Sequence, residues 1–241
     1  MGPYIDRTLK QQYDLANGKL FNKLLEEALM SITKISRNRN QAKLLQDLEK
    51  YRQYALNLGA DEAKVVNASK IHVEEAVAFK CRVPQCFGYG NCAQCPPNAP
   101  KPSEIRQLMK DFSHGLLFIR RVNSVLLKRD RNDKDRKAAF LKILDIVSKL
   151  ESAAFYNGHY LSMGFGAGSC FSSLCDPKLG CQVLKSENCR FPLKARPSME
   201  AVGIDVYRLI ASSGWEIYPY GSDANPEDIP VANLAGLVLI K

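Results

Sequence analysis

The chain of 241 residues is 46% hydrophobic and 24% charged, a balance that buries a core and excludes a mainly disordered or fibrous protein. At roughly 150 residues per domain the length suits one large domain or two small ones. No run approaches ~18 uninterrupted apolar residues, so no membrane span is expected. Met1–Arg7 lacks the basic-then-apolar layout of a signal peptide, and Asp6 stands where a myristoylation signal places a hydroxyl. A cytoplasmic location is expected. The net charge of +9 points to acidic partners. However, the aromatics are not interleaved with Lys and Arg as in a single-strand binder, and nucleic acid is not the expected partner.

In chain order, residues 19–34 read as a helix followed by a basic turn at Arg37–Asn40, so 1–41 form an N-terminal helical extension. A helix over 42–58 leads through Gly59 to a strand at Ala63–Val66. Lys101-Pro102-Ser103-Glu104 opens a helix to Phe112, with Pro and Ser as start signals. His114-Gly115 ends it, and Leu116–Ile119 reads as a buried strand. Residues 128–136 form a solvated turn of mixed sign before a helix over 133–155, which leads through Gly158 to a strand at Tyr160–Met163. Arg196-Pro197-Ser198-Met199 opens a further helix to Ser212, then Gly214 and a strand at Trp215–Tyr218. A Gly/Asp/Asn/Pro loop at 221–230 precedes a last strand at Leu237–Ile240.

Helix, strand, cysteine loop, helix and strand thus recur in 42–121 and 122–241, as an internal pseudo-duplication would give. The expected fold is α/β or α+β: a mixed sheet with packed helices and two cysteine-rich cofactor loops, in one compact domain.

The strongest signal is the cysteines. Cys81, Cys86, Cys92 and Cys95 read C-x4-C-x5-C-x2-C, and Cys170, Cys175, Cys181 and Cys189 read C-x4-C-x5-C-x7-C. Between the groups lie 74 cysteine-free residues. Thiolates so close in sequence want a common soft cation. A disulfide framework suits short secreted chains, which this is not. Structural zinc sites pair cysteines as C-x2-4-C, and only Cys92 and Cys95 have the x2 spacing. Three ligands spread over twelve residues wrap a cubane more naturally than a single ion. Pro96 after Cys95 matches the proline that follows a ligand in two-cluster ferredoxins, whose fourth cysteine ligates the other cluster. The same crossing would exchange Cys95 and Cys189. Two [4Fe-4S] clusters are therefore the expected cofactors, with two zinc ions as the alternative. Two such sites of about −2 each would lower the net charge to about +5.

Weaker signals have plainer readings. Gly164-Phe165-Gly166-Ala167-Gly168 could cradle phosphate, but Cys170 follows where a dinucleotide fold opens a helix. A tight turn toward the second cysteine group is the better reading. His72, His114 and His159 are out of register with the cysteines, although His159 could serve as an outside ligand or proton donor. Lys80, Arg82, Arg190, Lys194 and Arg196 flank the groups and can offset cluster charge or simply face solvent. Glu200, Asp205 and Tyr207 could line a pocket. No catalytic triad or carboxylate pair is legible.

Phe79-Lys80-Cys81, Cys86 with Tyr89-Gly90, and Cys92-Ala93-Gln94-Cys95-Pro96-Pro97-Asn98-Ala99-Pro100 form one signature. Gly166-Ala167-Gly168-Ser169-Cys170, Cys175, Cys181, Cys189-Arg190-Phe191-Pro192 and Arg196-Pro197-Ser198-Met199-Glu200-Ala201, continuing into Gly203-Ile204-Asp205-Val206, form a second. Together they resemble a family of uncharacterised, cysteine-rich, predicted metal-binding proteins found largely in anaerobic bacteria and archaea. The resemblance covers roughly residues 42–220, and all eight cysteines fall where the family pattern fills them. It implies metal or cluster binding in anaerobic metabolism and supplies no reaction. The expected function is electron transfer, or a small oxidoreductase component, with a redox partner protein. The alternatives are a structural or interaction protein with two four-cysteine zinc sites, and a metallochaperone or assembly factor.

Overall fold

A computed structural model describes residues 29, 31–35, 40–128, 133–221 and 223–241. Of the expected helix over 19–34 only residues 29 and 31–34 lie within them, and 31–34 are a bend and irregular chain rather than helix. The basic turn at 37–40, apart from Asn40, and the middle of the mixed-sign turn lie outside them. The protein has a mixed α+β fold with one four-stranded sheet. Strands β1 (Glu62–Asn67), β2 (His114–Val122), β3 (Met163–Phe165) and β4 (Ala232–Ile240) lie in the order β1-β2-β4-β3. Among residues 40–241 as described, the helices are α1 (Gln41–Asn57), α2 (Glu75–Phe79), α3 (Pro102–Met109), α4 (Ser124–Lys128), α5 (Lys134–Tyr156), α6 (Cys170–Leu174) and α7 (Val206–Ser212).

The side-chain alternation of β2 and β4 divides the core in two, because successive residues of a strand point to opposite faces. Leu116, Phe118, Leu234, Val238 and Ile240 face one way, onto Leu48, Tyr51 and Ala55 of α1 and Ile143, Val147 and Leu150 of α5. Leu117, Ile119, Ala235, Leu237 and Leu239 face the other way, onto Ile105 and Met109 of α3 and Leu209 and Ile210 of α7. Both faces of the central pair are covered, which is why these strands read as continuous apolar runs. Such runs are usual in parallel sheets, yet every ladder here is antiparallel. The sheet of mixed direction is thereby corrected: two covering layers, rather than parallel crossovers, account for the apolar runs. Among the described residues the one parallel pairing is the isolated bridge Gly166–Ser198.

The packing is close at the centre of the β2–β4 ladder. Phe118 is directly opposite Gly236, and a Cβ on Gly236 would lie 2.3 Å from the Phe118 ring and 2.8 Å from Val147. Glycine therefore lets the buried ring cross the neighbouring strand.

Local signals place the helix starts. Asn40 accepts a hydrogen bond from the Ala42 amide at 2.9 Å, capping α1, and Asp133 accepts from the Arg136 amide at 2.9 Å, capping α5. Pro102 occupies the first turn of α3, whose Glu104 side chain accepts from the Lys101 amide at 2.7 Å. Three expected elements differ. The strand expected at Tyr160–Met163 is a turn, with β3 starting only at Met163. The helix expected from Arg196 to Ser212 is a 3-10 turn at Glu200–Val202 and then α7, separated by Gly203 at φ +88°. The strand expected at Trp215–Tyr218 is irregular chain. β4 is already paired with β2 along its length and with β3 at Leu237–Leu239. The segment meets β4 through the Asn233 amide, which donates to the Glu216 carbonyl at 2.7 Å.

One buried polar knot ties α1 to the end of α5 and to the chain end. Asp47 faces Nε2 of His159 at 3.2 Å and Lys50 at 3.5 Å, and accepts from Lys43. Nδ1 of His159 donates to the Lys241 carbonyl at 3.2 Å, and the Tyr51 ring meets the imidazole edge-on with centroids 6.1 Å apart. His159 thus belongs to the structural frame, and the idea that it serves as an outside ligand is replaced by these contacts. Among the described residues no helix is long and apolar enough to cross a membrane.

Candidate metal centre

The first cysteine loop leaves α2 and returns to α3, folded on itself by turn hydrogen bonds that begin or end at cysteines. The Cys86 amide donates to the Cys81 carbonyl at 2.9 Å, the Cys95 amide to the Cys92 carbonyl at 3.2 Å, and the Asn98 and Ala99 amides to the Cys95 carbonyl at 3.0 Å. The second begins at α6, whose N-cap Ser169 accepts from the Phe171 amide at 3.3 Å. The glycine run before it is packing rather than a phosphate cradle. Gly164 and Gly166 lie against Val147 and Leu144 of α5, where a Cβ would come within 2.4 and 2.7 Å, and the Gly166 amide donates to the Pro197 carbonyl at 2.9 Å.

These loops bring the two groups together. Cys92, Cys95 and Cys170 are buried with Leu144, Phe171 and Ala195 in one apolar cluster, against which Phe87, Cys175, Cys181 and Cys189 pack. Cys92 Sγ and Cys170 Sγ are 3.5 Å apart, and the Cys95 thiol donates to Ser169 Oγ at 3.3 Å. All eight cysteines are free of disulfides. The sulfur contact between the groups is made by Cys92 and Cys170. Cys81, Cys86 and Cys95 share a pocket wall with Glu200. Among the described residues no three His, Cys, Asp or Glu side chains converge as ligands of one ion.

The donor set nevertheless suits a thiophilic metal or cluster. Amides point at two sulfurs, Gln94 N–H at Cys92 Sγ and Phe191 N–H at Cys189 Sγ, each at 3.4 Å. Hydrogen bonds of that kind tune thiolate-held iron. Gly88 lies against Cys95, where a Cβ would stand 3.0 Å from the sulfur, so the backbone closes directly over the thiol. Hydrogen bonding with Cys170, and then with Cys95, holds the Cys92 thiol well below the ordinary range against the effect of burial. Sharing with Cys92, together with burial, pushes Cys95 and Cys170 up. Burial, then the nearby Cys86 and Glu200, pushes Cys81 up to about 11. Burial is also the main cause at Cys175, with Cys181 adding to it and Arg190 opposing. Without a cation, burial disfavours the thiolate form at Cys81, Cys95, Cys170 and Cys175. A bound cation reverses that preference.

The flanking charges separate by role. Arg190 donates to the Gly180 carbonyl at 3.1 Å and lowers Cys175. Lys194 pairs with Asp145 at 3.2 Å and Arg196 with Glu151 at 2.7 Å, both on α5. Arg82 lies 6.0 Å from the Phe79 ring centre. Of the three pocket candidates on the later helix, Glu200 and Tyr207 do line the cavity, while Asp205 caps α7 by accepting from the Arg208 amide at 3.0 Å. Sequence reasoning missed Asn233 and Ser169. Asn233 could have been found as the polar residue inside the apolar run of β4.

The site thus defines an α+β protein with a buried cluster of cysteine donors. The family model described as "Predicted metal-binding protein (DUF2284)" matches residues 64–240, and the chain belongs to that family. The match begins inside β1 and ends with β4, so it leaves α1 outside and extends past the expected limit at 220. No curated protein and no solved structure matches the chain.

Proposed function

We propose that the chain holds two [4Fe-4S] clusters through Cys81, Cys86, Cys92, Cys95, Cys170, Cys175, Cys181 and Cys189, and acts in electron transfer or as a small oxidoreductase component. The supporting observation is the 3.5 Å approach of the Cys92 and Cys170 sulfurs inside an apolar cluster that six of the eight cysteines share. Two sulfurs at that distance are too far apart for a disulfide, whose S–S bond is about 2.05 Å. Ionised together in an apolar setting they would repel, and a shared cationic centre removes the conflict. A bound cluster supplies one-electron storage at a potential set by burial and by hydrogen bonds to sulfur. The chain's own residues provide those settings. Phe87, Phe171 and Leu144 exclude water, the Gln94 and Phe191 amides stabilise thiolate charge, and Arg190 offsets it.

In this reading the two loops are copies of one unit, 42–121 and 122–241, each running helix, strand, cysteine loop, helix, strand. The order β1-β2-β4-β3 supports it, with the last strand of each half at the centre and the first outside it. β4 then takes the place expected for Trp215–Tyr218. The residues before 42 are an extension to a single compact domain. A cytoplasmic setting and a redox partner protein complete the proposal.

The redox role is tested by adding dithionite to anaerobically purified full-length protein. Reversible bleaching of a broad visible band is expected. A coloured protein that dithionite leaves unchanged, or a colourless one, would overturn the electron-transfer reading.

A further inference from the structure

The wall formed by Cys81, Cys86 and Cys95 is one side of a cavity of about 440 Å³, within the ~300–1,000 Å³ range of small-molecule sites. Five aromatic side chains also line it: Phe87, Phe140, Tyr207, Tyr218 and Tyr220. Tyr207 and Tyr220 are tied into the mouth, the Tyr220 amide donating to the Tyr207 hydroxyl at 3.5 Å and the Tyr220 hydroxyl to the Ser124 carbonyl at 3.1 Å.

Two lining residues carry buried oxygens with no hydrogen-bond partner, Glu200 Oε2 and Asn233 Oδ1. The Asn233 assignment is fixed by chemistry, because its amide nitrogen donates to the Glu216 carbonyl at 2.7 Å and the remaining atom must be the acceptor. A buried acceptor left unpaired costs about 1–3 kcal/mol, so two of them beside one cavity call for donors from outside the chain. The terminal torsion of a glutamate is soft, and a small turn of the Glu200 carboxyl presents Oε2 to an occupant. The other charged group of the lining, Arg136, has its guanidinium 4.8 Å from the Phe140 ring centre.

We propose that this cavity is the binding site of a small, flat organic molecule bearing N–H donors, an amine or amidine on an apolar ring. Its donors meet Glu200 and Asn233, its ring packs among the tyrosines, and one edge faces the Cys81, Cys86 and Cys95 wall. The site goes beyond the proposed electron-transfer role. It makes the cysteine centre one that handles a substrate.

The test titrates benzamidine into anaerobically purified full-length protein, followed by NMR or calorimetry, with benzoate as a probe of the same ring and no donors. Benzamidine is expected to bind and benzoate to bind at least tenfold more weakly. Glu200→Gln is expected to weaken benzamidine at least tenfold, and Tyr207→Ala, at the exposed rim, several-fold. Metal content is measured on every variant, so a failed metal assignment is read separately from failed binding. Benzoate binding as well as benzamidine would show that Arg136, rather than the acceptors, governs the cavity and would overturn the proposal. Benzamidine binding unchanged by both substitutions would overturn it too.

Discussion

The Cys92→Ser variant is expected to lose at least about half of the bound metal, while Ser169→Ala retains it. Cys92 is 1% exposed and is the residue through which the two cysteine groups touch. Hydrogen bonding with Cys170 lowers its thiol from the ordinary range, which favours the thiolate form that a soft metal binds. Serine keeps the size but offers a hard, weakly acidic oxygen in place of a soft sulfur. Ser169 touches Cys95 and caps α6, yet has no sulfur to contribute. The comparison separates loss of a ligand from loss of packing. Metal analysis and circular dichroism of both variants check it, and full metal in Cys92→Ser would contradict the assignment.

The Asp47→Ala variant is expected to lose about 3 kcal/mol of stability, because it leaves a buried histidine facing an empty site. The Asp47 side chain is 3% exposed, whereas Lys43 and Lys50 are about half exposed and well screened. Most of the effect therefore comes from His159. Burial raises the Asp47 pKa, but hydrogen bonds from Lys43 and His159 outweigh it and leave it below 3.8. A lowered carboxylate pKa stabilises the fold above the unfolded value and loses that contribution as pH falls through the folded one. The gap between wild type and Asp47→Asn should therefore close as pH falls below about 4. Urea unfolding at a series of pH values measures it. A gap below 0.5 kcal/mol at neutral pH, where surface changes usually fall, would contradict the role given to this knot.

Much of the fold was legible because its signals are local. Asn40 and Asp133 mark helix starts through their side-chain oxygens and Pro102 through its ring, and the helices they open lie within a residue or two of their expected places at those ends. The direction of the strands was not legible. Leu116–Ile119 and Leu237–Ile240 are apolar throughout, and that pattern is the same whether layers of helices cover an antiparallel or a parallel sheet. Trp215–Tyr218 has the alternation of a strand and found no free partner, a matter of topology rather than propensity. At the site, the spacing of the cysteines located both groups. It could not say that Cys92 would reach Cys170, since that depends on how α6 packs on α5 through Leu144. Asp47 illustrates the reverse case. It stands among the apolar residues of α1, and the partner that explains its burial, His159, lies 112 residues away.

The central claim is most directly tested by the iron, zinc and acid-labile sulfide content of strictly anaerobically purified full-length protein. Two [4Fe-4S] clusters predict about eight iron and eight sulfide per chain. About two zinc per chain with no sulfide would contradict the cluster assignment and leave two thiolate-held structural ions in its place.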